Sequence, residues 1–308
     1  MILGIINNLI IFVLMSYKLR YRGSKQDHVT VYYWALSVSD AFTCIFQMLP
    51  KWLNNSFGYD ILSPSEISCR ILPKLVPYFF GDYSIWLIVL LTADRFTRIY
   101  FPIKFKSIFT VKRVYLYLVI LLAASFLKNL VYIFETSIQN YKCLFDKYSL
   151  IATFFSSRAA YNTSLVFASI IPIVSVCIMN VLILIRWRKI FPKNVNKKTD
   201  KKLSGGVSKT STRVFLVISI SFTIFLAPYF CISYYSTYRF ADACVQGTYT
   251  ISLHVSQSVF YLYHVTNLYF YILFSKLYRN DLVNLLKLLF RKYSRSNQID
   301  PDTSITGL

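Results

Sequence analysis

The sequence predicts an all-α membrane protein, a bundle of seven spanning helices followed by a short amphipathic eighth. Three observations lead there. Of the 308 residues, 56% are hydrophobic and 15% charged, with a mean hydropathy of +0.48, a balance wrong for a water-soluble fold. The apolar residues gather into seven runs near or above the roughly 20 residues that cross a bilayer as a helix. The 34 Lys and Arg, which give a net charge of +21, lie between those runs, most of them on alternate connections. No internal repeat and no low-complexity tract interrupts the pattern.

The first span, about 3–19, ends on Lys18 and Arg20, and its Asn7 and Asn8 are the kind of polar group that helices in lipid use to hydrogen-bond one another. The second, about 29–53, carries Asp40, an ionisable residue at membrane depth and therefore costly unless it has a function. The third, about 67–100, starts beside Cys69, meets Pro73 and Pro77 in its first turns, where kinks are expected, and ends on Asp94-Arg95-Phe96. A charged pair costs far less there than at the bilayer centre, so it marks a membrane boundary. Asp82, about midway along the same span, needs a partner, and Lys128 in the outer half of the fourth span, about 114–134, is the obvious one.

The fifth span, about 161–187, contains Pro172, and a basic inner loop with Ser204-Gly205-Gly206 follows. The sixth is placed at about 209–236 and the seventh at about 250–274. Over 275–292, Leu277, Tyr278, Leu282, Leu285, Leu286 and Leu289 share one face with basic residues opposite, which predicts a helix lying on the membrane surface. Residues 293–308 form the tail.

With the basic connections inside, the N-terminus is extracellular and the C-terminus cytoplasmic. Charge so placed fixes topology and contacts anionic lipid; it calls for no nucleic acid. Cys44, Cys177 and Cys231 fall in apolar runs, while Cys69, Cys143 and Cys244 fall on outer segments in an oxidising compartment, where cysteines pair. The sequon Asn54-Asn55-Ser56 is on the side where glycosylation occurs. No metal-ligand spacing is present, His28, His254 and His264 are scattered, and no nucleophile elbow occurs, so the chain does not read as an enzyme.

Asp94-Arg95-Phe96, Ile99 and Pro102 resemble the Asp-Arg-Tyr, Ile, Pro pattern that closes the third helix of rhodopsin-like G-protein-coupled receptors. Leu36-Ser-Val-Ser-Asp40 resembles that family's Leu-Ala-x-Ala-Asp, Phe222-x-x-Phe-Leu226-x-Pro228 its Phe-x-x-Cys-Trp-x-Pro, and Asn267-Leu-Tyr-Phe-Tyr271 its Asn-Pro-x-x-Tyr. Gly4 with Asn8, and Trp52 with Phe57-Gly58, match further features. The outer end of the fourth span, Leu127 to Glu135, looks like that of invertebrate FMRFamide-type neuropeptide receptors. Phe96, Leu226 and the missing proline after Asn267 depart from the pattern. The spacing from Cys69 to Arg95 is one residue longer than usual. Relatives carry an extracellular tail ahead of the first span, so a chain starting at its edge reads as a truncation.

The resemblance implies a plasma-membrane receptor that binds an extracellular peptide and activates a heterotrimeric G protein, with arrestin as a further partner. It implies a Cys69–Cys143 disulfide and a sodium ion held by Asp40, Ser84 and Asn267. Asp94, Arg95, Phe96 and Tyr271 would couple to the G protein, and Phe222, Leu226 and Pro228 would form the activation switch. No Lys stands in the seventh span to hold retinal, and Pro77 occupies the place of an amine-binding Asp. A peptide ligand is the first reading, with Asp82, Lys128 and Glu135 as candidate contacts. A small molecule or lipid ligand is the alternative, and a transporter or channel the more distant one.

Overall fold

The computed structural model describes residues 1–21, 28–58, 65–134, 136–139, 142–145, 164–190, 209–236 and 243–296. Helix α1 runs Ile2–Tyr21. Helix α2 joins His28–Thr43, Cys44–Met48 and Leu49–Phe57; α3 joins Glu66–Arg70, Ile71–Leu75 and Val76–Tyr100. A short inner helix, Pro102–Ile108, leads to α4, Val111–Asn129, which closes in a 3₁₀ turn, Leu130–Phe134. Helix α5 joins Val166–Ile170 to Ile171–Ile190, α6 is Lys209–Ser236, α7 is Ala243–Phe274 and α8 is Lys276–Ser296.

Six of these helices are long and apolar enough to cross a membrane. Helix α7 has the length, at 32 residues, but its Ser, Gln, His and Asn side chains dilute its hydropathy, and it begins ahead of the expected residue 250. It packs on α6 and α1. Large apolar side chains on the outer faces, such as Val119, Ile120, Ile178, Val181, Ile224 and Leu262, are exposed; in a multi-pass protein those faces meet lipid.

Three π-helical turns, Cys44–Met48, Ile71–Leu75 and Val166–Ile170, interrupt the outer halves of α2, α3 and α5. Each is centred four residues before a proline: Phe46 before Pro50, Pro73 before Pro77, Ala168 before Pro172. A proline ring collides with the carbonyl four residues back and offers that carbonyl no N–H, and a widened turn relieves both problems. The turn in α3 also takes up the extra residue between Cys69 and Arg95, because a π turn inserts one residue into an α-helix.

The outer loop after α4 departs from the all-helical expectation. It forms an antiparallel hairpin, β1 Thr136–Gln139 with β2 Lys142–Phe145, in which Cys143 stands opposite Ile138, and β1 lies against the outer end of α3.

At the other edge of the bundle, Gly4 lets α1 approach closely: a Cβ there would meet Cys44 Sγ and Val265 Cγ2, each at 2.9 Å. Asn7 donates to Val265 O at 3.0 Å and Asn8 to His264 O at 2.8 Å, so the two asparagines fasten α1 to α7 as expected. Lys18 pairs with Asp281 at 3.0 Å and lies over the Tyr278 ring, anchoring α8 under α1.

Candidate functional site

At the centre of the bundle, Asp40 of α2 is completely buried. Its Oδ1 accepts from Ser84 Oγ of α3 at 2.6 Å and lies 2.7 Å from His264 Nδ1 of α7, while Oδ2 accepts from Asn267 Nδ2 at 2.7 Å. Burying a carboxylate is costly unless its lone pairs are met, and three side chains from two helices, α3 and α7, meet them. Phe222 of α6 packs edge-on against Tyr263, with ring centres 5.5 Å apart, which brings the sixth helix to the same layer.

At the inner end, Arg95 is 1% exposed. Its Nε is 4.0 Å from Asp94 Oδ2, a long contact, whereas its guanidinium carbon stands 5.0 Å from the ring centre of Phe215 on α6. A guanidinium over an aromatic face is attracted by the ring quadrupole. Asp94 Oδ1 lies 3.1 Å from His28 Nε2, and Arg98 Nη2 is 3.0 Å from the same nitrogen. Tyr33, Tyr271 and Tyr278 stack beside them, Tyr33 and Tyr271 edge-on at 4.7 Å.

In the outer half, a cleft between α3, α4, α5, α6 and α7 encloses about 120 Å³. Asp82 and Lys128 lie on one side of it and Tyr229, Phe230 and Phe260 on the other. Lys128 Nζ donates to Asp82 Oδ2 at 2.5 Å and Asn129 Nδ2 to the same oxygen at 2.8 Å. Among the described residues nothing donates to Asp82 Oδ1.

Apolar helices around a buried Asp–Ser–Asn junction, with a buried arginine at the inner end and a cleft at the outer, suit a receptor that relays a signal across the bilayer. The profile of the 7 transmembrane receptor (rhodopsin family) matches residues 7–272. The chain belongs to that family. It is a G-protein-coupled receptor, a multi-pass membrane protein with a ligand and a G protein as partners, and its family are receptors rather than enzymes. A search of the curated proteins finds no match.

Of the residues expected from sequence, the receptor brings Asp40, Ser84 and Asn267 together, and Asp82 with Lys128. The expected sodium ion does not fit the first set. A hard cation needs oxygen ligands, and here three donors already point at the carboxylate, one of them a ring nitrogen. Asp94 remains an ion-pair partner of Arg95 at the long distance of 4.0 Å, with Phe215 against the guanidinium from α6 and His28 facing Asp94.

The remaining expectations fall as follows. Phe222 and Leu226 are buried in the α6 core, Tyr271 is buried, Phe96 is stacked on Tyr100, and Asn54 is exposed at the outer end of α2. Pro228 lies within α6. Cys69 is buried and disulfide-bonded; Glu135 and the Cys143 side chain lie outside the described residues.

Sequence reasoning missed His264, His28 and Phe215. Only His264 carried a signal: it stands three residues before Asn267 and so shares its helical face.

Proposed function

We propose that the receptor binds an extracellular neuropeptide of the FMRFamide type in the outer cleft and signals through Arg95. The observation that carries this is the cleft itself, which pairs an aromatic wall with a carboxylate whose Oδ1 has no partner among the described residues. A peptide's Arg would donate to that oxygen, an Arg–carboxylate contact being a strong one, and its Phe would lie on Tyr229, Phe230 and Phe260. Room for on the order of ten water-sized groups suits one or two side chains of a peptide, the rest lying above. The same volume favours, as the second reading, a small non-peptide ligand held entirely inside.

The rest of the proposal follows the orientation fixed by the basic connections: a plasma-membrane protein with the cleft outside, Asn54 glycosylated, Cys69 bonded to Cys143, and arrestin as well as the G protein engaging the inner face. The hairpin against the outer end of α3 supports that pairing. Movement of α6, with Phe222, Leu226 and Pro228 in its core, would carry Phe215 off Arg95 and free the guanidinium.

The experiment is a calcium and cAMP response screen with amidated peptides on cells expressing the receptor. An Arg-Phe-amide peptide should give a response that weakens when its Arg is replaced by citrulline. Arg95→Ala should abolish the response with surface expression and binding retained, and Phe215→Ala should raise signalling without ligand. Responses to non-peptide ligands alone would overturn the peptide reading, and a full response from Arg95→Ala would overturn the role of Arg95.

A further inference from the structure

The junction around Asp40 is where the resemblance implies a sodium ion. Among the described residues, His264 Nδ1 lies 2.7 Å from Asp40 Oδ1, and both side chains are completely buried. We infer that His264 stands in for the cation: its ring nitrogen is a permanent, covalently held partner of Asp40, and the core of this receptor takes no sodium.

The position of the ring is built. Its backbone carbonyl accepts from Asn8 of α1 at 2.8 Å, which pins that turn of α7. Its faces meet Phe260 and Tyr263, with ring centres 5.1 and 4.9 Å away. Asn267, one turn on, is committed to the other carboxylate oxygen. A carboxylate offers about four lone-pair directions, and Ser84, His264 and Asn267 use three. A cation approaching Oδ1 would have to displace the imidazole, against a ring packed on two aromatics, and one approaching Oδ2 would meet the Asn267 N–H already held there.

Oxygens are near once the ring is gone. Among the described residues Asn267 Oδ1 is buried without a hydrogen-bond partner, and the buried Tyr263 hydroxyl lies beside Ser84. With Ser84 and Asp40 they would make an all-oxygen set, so a serine at position 264 should open the junction to the ion that the histidine excludes.

The test uses the purified full-length receptor and needs no agonist. Its thermal unfolding midpoint is measured in sodium chloride and in choline chloride at equal ionic strength, for wild type, His264→Ser and His264→Asn. The wild-type midpoints should coincide. His264→Ser should unfold at a higher temperature in sodium than in choline, while His264→Asn, which keeps an N–H donor, should show no difference. A wild-type receptor stabilised by sodium overturns the inference, as does a folded His264→Ser that ignores the ion. Should His264→Ser fail to fold, the wild-type comparison and His264→Asn decide the question.

Discussion

Removing Lys128 should harm the receptor more than removing Asp82, although the two form one ion pair. The Asp82 side chain is 7% exposed and that of Lys128 31%. Lys128→Met therefore strands a buried carboxylate on one remaining donor, Asn129. Stripping a buried charge of its partner costs 3–5 kcal/mol when both are fully buried; with Lys128 partly exposed, about 2–3 kcal/mol is expected. Asp82→Asn leaves an ammonium whose long stem reaches the open cleft, which should cost about 1 kcal/mol. The double variant should be more stable than Lys128→Met alone, with a coupling of about 1–2 kcal/mol. At about 2–4 °C per kcal/mol, Lys128→Met should lower the unfolding midpoint of the purified receptor by about 4–12 °C, and Asp82→Asn should recover part of that. Equal single effects, or a double variant that merely sums them, would refute the reasoning.

Two further outcomes are expected. Gly4→Ala should destabilise by about 1–3 kcal/mol, since its Cβ would press on Cys44 and Val265 at 2.9 Å in a packed interface; Cys44→Ala in the same chain should restore part of the midpoint. Peptide mapping without reduction should recover Cys69 joined to Cys143, a cross-link worth about 4–5 kcal/mol for a loop of this length, and a Cys69–Cys244 peptide would contradict the pairing.

The spans were legible because apolar runs broken by basic residues have one stable arrangement in a bilayer. Asp40 and Asp82 were legible for a related reason: a carboxylate at membrane depth demands partners, Lys128 being the obvious one for Asp82, while Ser84 and Asn267 were joined to Asp40 by the family resemblance. His28 was not, because a histidine at the start of a helix has no periodicity to betray it until the neighbouring helix is placed, and the one signal for His264, its spacing from Asn267, went unread. Phe215 looked like any lipid-facing aromatic. The hairpin was hidden for a different reason, since ten residues with one strand on either side of Asn140 and Tyr141 are too few to show alternation clearly. The three π turns were legible only as expected kinks at the prolines of α3, since Pro228 lies in α6 without such a turn.

Those turns have a consequence for how this receptor diverges. A π turn is a frame shift held inside a helix, rotating everything beyond it by about 100° relative to an unbroken α-helix. In α5 the shift falls between Leu165, which lines the cleft, and Asn180 beneath, and in α2 it carries Gln47 of the cleft wall within the widened turn, beyond Asp40. In α3 it separates Cys69 from Asp82. The outermost ends of α2, α3 and α5 are thereby indexed independently of the machinery below them. Residues there are free to be gained, lost or re-aimed in pursuit of a new ligand without turning Asp40 from His264 or Arg95 from Phe215.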